Sequence, residues 1–479
     1  MERIYFDKQI FSFLFKDNDP VYQNFLVELY NNKQNFLYCY SRGHLLDLKN
    51  DKTEIKYKEL EFIETLVGDN YISYNAVAKK TSCYLATPKE VFKDIEEEDD
   101  DPISFNNLFD DLDLDSATEE QREQITRAKE IFTNQKFDFG FSNLSELSDE
   151  LKGPLGKMLP IGKSSMTLME WTEYFMESLK SMEEDKSVYK GLRNVVDQHI
   201  NNGKFVVDFD TIDFNDDLKN SVLKKSFTEY VNGNLNPNGN KEVTDYDFFL
   251  NAYFTLDVLG ISKEPSKNVK FRNVINDSYH SYYGAFCDYV VSDDLGFLKK
   301  SRALYRLLDI RTKIFHVDEF IRSFNLLSKS IECDLDSFFK LLDNDLRNGI
   351  VINSKPSIKY NRHTTTIKPY HQYLGYFNRI DSMKEDNQDL VYLYRSTKNY
   401  SYFNFYREYE GVINKAIALF GSDFEFKSWY RWPEENDEIE KGTWKGRFWK
   451  FDNLTLQLDI NEGTEKIGLL VIPKVIGGI

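Results

Sequence analysis

Cysteine, proline and glycine are scarce in this chain. Its 479 residues include 11 prolines and 23 glycines, too few for long flexible linkers. No two cysteines form a C-x-x-C pair, which argues against a structural zinc site. No stretch approaches the roughly 18 consecutive apolar residues of a membrane span, and the first ten residues lack a signal-peptide core. We therefore expect a cytoplasmic protein without a membrane segment and with four reduced thiols, at Cys39, Cys83, Cys287 and Cys333.

Positive charge is also in deficit. The chain has 61 Lys and Arg residues against 79 Asp and Glu residues, a formal net charge of -18. This balance excludes a general basic coat for nucleic acid. It leaves open a local basic patch, or an acidic cleft that reaches phosphates through divalent cations. Aromatic residues are abundant, with 38 Phe and 30 Tyr, and the length is sufficient for at least two aromatic-rich cores.

Short apolar strands alternate with helical patterns near both ends of the first 330 residues. This alternation is typical of a parallel sheet covered by helices. The predicted strands of this α/β sheet are 3–7, 35–41, 287–292 and 311–317. Antiparallel strand patterns with an amphipathic helix at 404–421 follow, and they predict a C-terminal α+β domain. The predicted organisation has four segments: a first part of the sheet domain (1–93), an acidic segment and large, mostly helical insertion (94–269), a second part of the sheet domain (270–330) and the C-terminal domain (331–479).

Acidic residues from distant parts of the sequence are predicted at one edge of this sheet. Functional groups in such folds collect beyond the carboxyl ends of the strands. Several carboxylates together repel one another unless a cation lies between them, and oxygen ligands suit Mg²⁺ or Mn²⁺. The candidates either end a strand or lie in a helix next to one: Asp7, Asp47, Asp277, Asp293 and Asp294.

Each candidate also has an ordinary structural explanation. Asp7 and the Asp293–Asp294 pair suit the caps of the helices that follow them. Asp47 alone suits a solvated helix face. His44 and His280 lie three positions from Asp47 and Asp277, hence on the same helix faces. Packing and hydrogen bonding account for either histidine better than a phosphate contact or a proton relay does.

Four segments carry a family resemblance. They are "IYFD" (4–7), "YSRGHLLDL" (40–48), "DSYHSYYGAFCDYVVSDDLGFLKK" (277–300) and "LDIRTKIFHVDEF" (308–320). Together they resemble bacterial PIN-like nuclease domains, which carry a YSxxHxxDL element and a DxxHxxYxxxCDYxVTxD element. The resemblance covers about 1–90 and 270–330, and the long block beginning at Asp277 is its most specific part. The large insertion between the two regions departs from the simple family pattern.

The resemblance implies a metal-dependent nuclease that uses Mg²⁺ or Mn²⁺ to cut phosphodiester bonds, with RNA favoured over DNA. The implied catalytic residues are Asp7, Asp47, Asp277 and Asp294. The implied metal ligands are Asp7, Asp277 and Asp294, with Asp293 ranked below them. The candidates for substrate contact are His44, His280 and Ser292, the last in place of the family's threonine. The multi-domain build resembles stress or phage-defence effectors.

Two other functions stay open. The first is a non-catalytic PIN-like binding or regulatory module that grips a protein partner or activator through its C-terminal domain. The second is a phosphatase-like hydrolase, which would need a D-x-D motif where this chain has "DKQ". Basic and aromatic residues alternate in 355–373, as in a single-strand binding surface or a solvated strand. The aromatic stretch 426–451 suits either a core or a partner surface.

Overall fold

The computed structural model describes most of the chain. The described residues are 1–16, 19–97, 119–137, 152, 156, 160, 163–196, 214–236, 239–240, 242–262, 271–327, 334–357, 362–385, 388–397, 399–401, 404–461 and 466–473. The chain divides into two compact units. The first combines Met1–Phe92, His280–Leu298 and Leu308–Ile479, and the second combines Lys93–Tyr279 and Lys299–Leu307. Most of the acidic segment predicted at 94–115 lies outside the described residues.

The strands and helices are numbered in chain order. The strands are β1 (Glu2–Phe6), β2 (Phe36–Ser41), β3 (Asn70–Asn75), β4 (Lys80–Leu85), β5 (Lys136–Phe137), β6 (Met166–Thr167), β7 (Tyr289–Ser292), β8 (Lys313–His316), β9 (Ile350–Ser357), β10 (Arg362–Lys368), β11 (Arg379–Glu385), β12 (Gln388–Tyr394), β13 (Arg447–Lys450), β14 (Leu454–Asn461) and β15 (Lys466–Pro473). The helices are α1 (Lys8–Lys16), α2 (Pro20–Asn31), α3 (Arg42–Asn50), α4 (Ile55–Val67), α5 (Pro88–Glu97), α6 (Glu119–Asn134), α7 (Leu168–Glu184), α8 (Lys186–Val196), α9 (Phe214–Asp217), α10 (Phe227–Leu235), α11 (Asp245–Val258), α12 (Phe271–Gly284), α13 (Leu295–Leu307), α14 (Val317–Leu327), α15 (Leu335–Asn348), α16 (Tyr406–Phe420) and α17 (Glu434–Glu440).

A six-stranded sheet forms the centre of the first unit. Its strand order is β4-β3-β2-β1-β7-β8, and β1 to β3, β7 and β8 run parallel. β1 lies between β2 and β7, with Tyr5 opposite Cys39 on one side and Val290 on the other. The predicted mixed α/β fold, with a mostly parallel sheet and flanking helices, is confirmed. β4 differs because it runs antiparallel to β3. The turn between them has only four residues, and a connection this short joins only antiparallel strands.

A separate antiparallel sheet follows in the C-terminal part of the same unit. Its strand order is β13-β14-β15-β12-β11-β10-β9. Helix α16 lies within the helix predicted at 404–421 and ends at Gly421, whose φ of 82° is left-handed. One face of α16 contributes to the apolar core of this region, with Val412, Ile413 and Ala416 fully buried. The alternation of apolar residues in the strands buries one face of the sheet against this helix.

The C-terminal region packs against the amino-terminal ends of the parallel strands. Arg3 in β1 pairs with Glu408 in α16, with 2.7 Å between Nη2 and Oε2, and both side chains are unexposed. Two further ion pairs join C-terminal arginines to acids that directly precede β7 and β3: Arg395 with Asp288, and Arg407 with Asp69. These contacts cover part of the amino-terminal edge, where a cavity of about 960 Å³ remains between the strand starts and α16, whereas the candidate acids lie at the carboxyl-terminal edge.

The second unit is mainly helical in its described residues. Asp257 of α11 is fully buried there. It accepts a hydrogen bond from the Tyr189 hydroxyl at 2.6 Å, and it pairs with Arg193 at 3.1 Å and with the unexposed Lys300 at 3.4 Å. A buried charge network therefore holds these helices together.

Two sequence predictions concern thiols and membranes. Cys39, Cys83 and Cys287 are buried free thiols, and Cys333 lies outside the described residues. Among the helices of the described residues, none is both long and apolar enough to cross a bilayer.

Candidate functional site

Asp7 lies directly beyond β1, between the carboxyl ends of two neighbouring strands. Its backbone N–H donates to the carbonyl oxygen of Val291 in β7, at 2.9 Å. Its carboxylate accepts a hydrogen bond of 2.7 Å from the Ser292 hydroxyl, which ends β7. Ser292 is completely buried. The end of β7 therefore holds the backbone of Asp7 through Val291 and its carboxylate through Ser292.

Asp47 is positioned by the helix that follows β2. Ser41, the last residue of β2, caps α3: its hydroxyl accepts the Gly43 N–H at 3.2 Å, and its own N–H donates to His44 Nδ1 at 3.1 Å. This cap fixes where α3 begins. Asp47 lies one turn after His44, so α3 presents its carboxylate beside the end of β1.

His280 of α12 reaches the same place from a distant part of the sequence. Its Nε2 lies 3.0 Å from Asp47 Oδ2, and its Nδ1 lies 2.9 Å from the Tyr5 hydroxyl. One carboxylate oxygen each of Asp7 and Asp47 and one ring nitrogen of His280 all lie within 4.8 Å of one another. Within the part of the chain that the structure describes, no other group of three or more His, Cys, Asp or Glu side chains converges in this way.

Gly43 allows this approach. A Cβ atom at position 43 would lie 3.2 Å from Cε1 and Nε2 of His280 and 3.3 Å from Cδ2. These distances are shorter than ordinary van der Waals contact, and the His280 ring is held on both sides by hydrogen bonds. A larger residue at this position would therefore require the His280 ring to shift by a few tenths of an ångström.

Burial and charge shift the proton affinities of the group. Burial raises the pKa of Asp7, and the charges of Asp47 and Asp294 raise it further, while His280 and the Ser292 hydrogen bond lower it in part. Burial lowers the pKa of His280, but the hydrogen bond and charge of Asp47, with the charge of Asp7, outweigh it and leave the pKa raised. The imidazolium is therefore favoured beside two carboxylates, where it balances part of their charge.

His44 hydrogen-bonds to the backbone at the ends of β1 and β2, next to the site. Its Nε2 donates to the Phe6 carbonyl oxygen at 2.7 Å, and its Nδ1 accepts from Ser41. Burial, followed by the neighbouring His280, lowers the pKa of His44 to about 3, so the ring is neutral. The Tyr5 hydroxyl lies 2.6 Å from the Ser41 hydroxyl and completes this network.

Substrate contact does not fit the three residues for which it is predicted. His44 and Ser292 are completely buried, and His280 is 1% exposed. His280 hydrogen-bonds to the Asp47 carboxylate and Ser292 to the Asp7 carboxylate. His44 hydrogen-bonds to the carbonyl oxygen of Phe6, the residue before Asp7. The sequence indicates their neighbourhood to the acids, but burial corrects their role from touching a substrate to positioning Asp7 and Asp47.

Asp294 is both a helix cap and a neighbour of Asp7. Its Oδ1 accepts the N–H groups of Gly296 at 2.6 Å and Phe297 at 3.0 Å, at the start of α13. Its backbone N–H donates to the Ser292 hydroxyl that also bonds to Asp7, so the two acids share one bridging residue. The structure therefore supports the helix-cap explanation of Asp294, which is not in the group that converges within 4.8 Å, and its role as a metal ligand stays a prediction.

Asp277 and Asp293 lie outside the converging group. Asp277 is one helical turn before His280 on α12 and is half-buried, and the group within 4.8 Å does not contain it. Asp293 Oδ1 instead lies 3.2 Å from His316 Nε2 at the end of β8. Sequence reasoning missed His316 and Tyr5. The position of His316 at the end of the strand "KIFH" is a signal that points to this edge, whereas nothing in the sequence singles out Tyr5.

The donor set suits a hard divalent cation. Asp7 and Asp47 offer carboxylate oxygens, the ligands that Mg²⁺ and Mn²⁺ prefer. His280 holds one oxygen of Asp47, an arrangement in which an imidazole orients a ligating carboxylate. The carboxylates also lie close enough to repel each other, a cost that a cation removes.

Comparisons with known proteins add no relative: no family model matches the chain, and no curated protein or solved structure is significantly similar to it.

Proposed function

We propose that this protein is a metal-dependent nuclease that hydrolyses phosphodiester bonds, in RNA more readily than in DNA. The observation that carries the proposal is the convergence of Asp7, Asp47 and His280 at the carboxyl edge of a parallel sheet, within 4.8 Å. This edge is where such sheets carry their active sites. A bound Mg²⁺ or Mn²⁺ supplies a Lewis acid and lowers the pKa of water.

The side chains have separate roles in this proposal. Asp7 and Asp47 hold the cation. His280 fixes the orientation of Asp47 and balances charge while the site is empty of metal. Ser292 fixes Asp7 through its 2.7 Å hydrogen bond. Asp294 adds negative charge beside Asp7, which strengthens the preference of the site for a divalent ion.

The charge of the whole chain is consistent with this chemistry. A net charge of -18 repels a polyanionic substrate, so the attraction has to come from a cation or from a local basic surface. The half-buried carboxylate pair of Asp7 and Asp47, once it takes up a divalent ion, provides such a cation. A role as a stress or phage-defence effector is part of the same proposal and rests on the joining of a nuclease-type sheet to a second sheet.

One observation favours a second candidate, a non-catalytic binding module. The pKa of His280 is raised, and its imidazolium pairs with Asp47. This internal ion pair satisfies part of the carboxylate charge without a metal. In that case the cluster would be a structural joint between β1, α3 and α12, and it would have no affinity for divalent ions.

Cleavage of labelled oligonucleotides tests the proposal. Single-stranded RNA, single-stranded DNA and duplex DNA are incubated with the full chain in EDTA, Mg²⁺ or Mn²⁺. We expect cleavage in Mg²⁺ or Mn²⁺ only, and a loss of at least 100-fold in Asp7→Asn and Asp47→Asn. Asp437→Asn, on the exposed face of α17, is the matched control and should cleave like the wild type.

Binding of Mn²⁺, measured by calorimetry on the same variants, separates the two candidates. A nuclease site binds the ion in the wild type and loses it in Asp7→Asn. Absence of both ion binding and cleavage in the wild type would overturn the nuclease proposal and support the structural joint. Cleavage that survives unchanged in both aspartate variants would place the activity elsewhere.

A further inference from the structure

The aromatic stretch of the C-terminal region divides into a core part and a surface part. Tyr430 and Trp449 are buried. Phe424 is 57% exposed, Phe426 is 88% exposed and Trp429 is 65% exposed. These three rings lie in the loop of residues 421–432, between α16 and α17. We call it the aromatic loop.

Buried ionic contacts hold the aromatic loop in one conformation. Arg447, which is completely buried, donates to Asp423 Oδ2 at 2.8 Å and to the Trp429 carbonyl oxygen at 3.0 Å. It also pairs with the unexposed Glu435 at the start of α17. Asp423 Oδ1 accepts two N–H groups of the loop itself, those of Glu425 and Lys427. The loop therefore exposes its rings from a fixed backbone.

These exposed rings bury little apolar surface on folding. Phe426 has a φ of 62°, a left-handed conformation that costs a residue with a side chain about 1 kcal/mol. Its ring recovers little of this cost because it stays in water. Within the described residues, neither Phe426 nor Trp429 packs against another aromatic ring. Rings that are presented rigidly and left uncovered are typical of binding surfaces.

Lysines surround these rings. Lys450 Nζ lies 3.6 Å from the centroid of the Phe424 ring, and the Lys450 side chain is exposed. Lys445 is exposed and acts electrostatically on Glu425, which also pairs with Lys427 at 2.5 Å. Lys427 and Lys445 both act on Glu425, and Lys445 and Lys450 are exposed, so cationic side chains lie among the exposed rings.

We propose that the aromatic loop binds single-stranded nucleic acid, with bases stacked on Phe424, Phe426 and Trp429 and phosphates held by Lys445 and Lys450. This proposal deepens the proposed nuclease function and rests on it for the identity of the substrate. Stacking on exposed rings with interleaved cations is how strands are gripped without sequence preference. The exposed lysines among the rings supply the cations that contact the phosphates of a single strand.

The position of the loop suggests what it contributes. Arg407 pairs with Asp69, which precedes β3, and its guanidinium lies 4.6 Å from the Trp432 ring at the end of the loop. The loop therefore belongs to the amino-terminal edge of the sheet, whereas Asp7 and Asp47 lie at the opposite edge. The six residues of β2 separate the edges by roughly 17–20 Å. A long strand can engage both places, and a very short one cannot.

Fluorescence anisotropy in EDTA tests the proposal without any cleavage. The probes are labelled 20-nucleotide single-stranded RNA and DNA and a 20-base-pair DNA duplex. The full chain is compared with Phe426→Ala, Trp429→Ala and the double variant Lys445→Glu/Lys450→Glu. Tyr30→Ala is the control, because Tyr30 of α2 is a 38% exposed ring outside the loop with a lysine, Lys33, 4.6 Å from its centroid. Thermal unfolding verifies that each variant is folded.

We expect Phe426→Ala and Trp429→Ala each to weaken single-strand binding about fivefold or more, with Tyr30→Ala unchanged. The lysine variant should weaken binding and flatten its salt dependence. Equal affinity for the duplex, or ring variants that bind like the wild type, would overturn the proposal. A wild type that binds neither single strand also overturns it and leaves the loop to a protein partner.

These outcomes are separate from those of the cleavage test. A wild type that binds strands through the loop but never cleaves them contradicts the nuclease function alone. A wild type that cleaves in Mn²⁺ but is indifferent to the loop variants contradicts only the binding surface. In active protein, Trp429→Ala should raise KM for the 20-nucleotide strand without lowering kcat, and leave a three-nucleotide substrate unaffected.

Discussion

The imidazole of His280 is hydrogen-bonded to the carboxylate of Asp47 at 3.0 Å, although 233 positions separate the two residues. The Tyr5 hydroxyl holds the other ring nitrogen of His280. The ring is therefore fixed from both sides, and Asp47 with it. A site of this kind depends on the packing of three distant segments, so changes that move the ring should alter function without removing any carboxylate.

Gly43→Ala should reduce activity with little loss of stability. The new Cβ would lie 3.2 Å from the His280 ring and push it away from Asp47. A displacement of a few tenths of an ångström should lower the cleavage rate about tenfold or more, since site geometry is sensitive to such shifts. The rate in Mn²⁺ and the melting temperature, measured on the same preparation, check this.

Gly233→Ala is the matched control for Gly43→Ala. Gly233 also lies within a helix, α10, and a Cβ there would meet only the end of the Lys225 side chain, at 3.7 Å. Alanine should raise the free energy of unfolding by about 0.5–1 kcal/mol through helix propensity and leave activity unchanged. Equal loss of activity in both variants would contradict the role of the His280 contact.

Asp7→Asn should stabilise the protein in EDTA while abolishing activity. Burial and the charges of Asp47 and Asp294 raise the pKa of Asp7, so the ionised form is disfavoured in the folded state. Removing the charge should raise the free energy of unfolding at neutral pH by about 1 kcal/mol, in the range typical for relieving functional strain. Thermal or denaturant unfolding in EDTA measures this.

In Mn²⁺ the wild type should become more stable than Asp7→Asn, the reverse of the order expected in EDTA. The ion binds only the folded wild type and stabilises it in proportion to its concentration. Asp7→Asn should gain nothing from Mn²⁺. A wild type whose melting temperature does not respond to Mn²⁺, or an asparagine variant that is less stable in EDTA, would contradict this prediction.

Glu408 should make stability depend on pH in the acid range. Burial alone would raise the pKa of Glu408, but the charges of Arg3 and Arg395 and the Arg3 hydrogen bond lower it to about 2. A carboxylate with a lowered pKa contributes stability above its ordinary pKa near 4.5, and this contribution is lost as the pH falls toward 2. The difference in melting temperature between wild type and Glu408→Gln should therefore be constant above pH 5 and shrink below it.

At neutral pH, Glu408→Gln should cost about 3–5 kcal/mol, because two buried arginines lose a charged partner. Glu434→Gln, at an exposed position of α17, provides the control and should track the wild type at every pH. If the difference in melting temperature between the wild type and Glu408→Gln grew as the pH falls, the predicted direction of the pH dependence would be wrong.

Asp257→Ala should destabilise the helical unit by about 3–5 kcal/mol. The change leaves the unexposed ammonium of Lys300 without its 3.4 Å partner and removes a partner of Arg193. The double variant Asp257→Ala/Lys300→Met should recover part of this loss, because no buried lysine charge then remains. Thermal unfolding of both variants tests the coupling; additive losses would contradict it.

Sequence patterns predict the sheet well because its strands are short, apolar and followed by helices. The stretches 35–41, 287–292 and 311–317 each contain an observed strand, and 3–7 overlaps β1 with a shift of one residue. The reversed direction of β4 escapes prediction because it depends on a four-residue turn, and turn geometry is a local choice that periodicity does not report. The ion pair between Arg3 and Glu408 is not predicted either, because charged residues are rarely buried and nothing in the sequence marks these two as partners.

The sequence predicts where the site lies better than it predicts which side chains form it. Strand ends place Asp7 at the carboxyl edge, and the cap at Ser41 brings Asp47 beside it. His280 and Asp277 are one turn apart on the same helix, and sequence spacing alone cannot say which of the two faces the carboxylates. Packing decides this: Gly43 makes room for a ring at 280, and Tyr5 supplies its second hydrogen bond.

The central position of β1 has a consequence for biosynthesis. β1 pairs with β2 soon after both leave the ribosome, but its other neighbour, β7, begins only at Tyr289. About 250 residues intervene, which at 5–20 residues per second takes roughly 12–50 s. During that interval one side of an apolar strand has no β7 to pair with, and an unpaired edge of this kind invites association between nascent chains. Slowing translation within the insertion should therefore lower the yield of native protein, and a holdase chaperone should restore it.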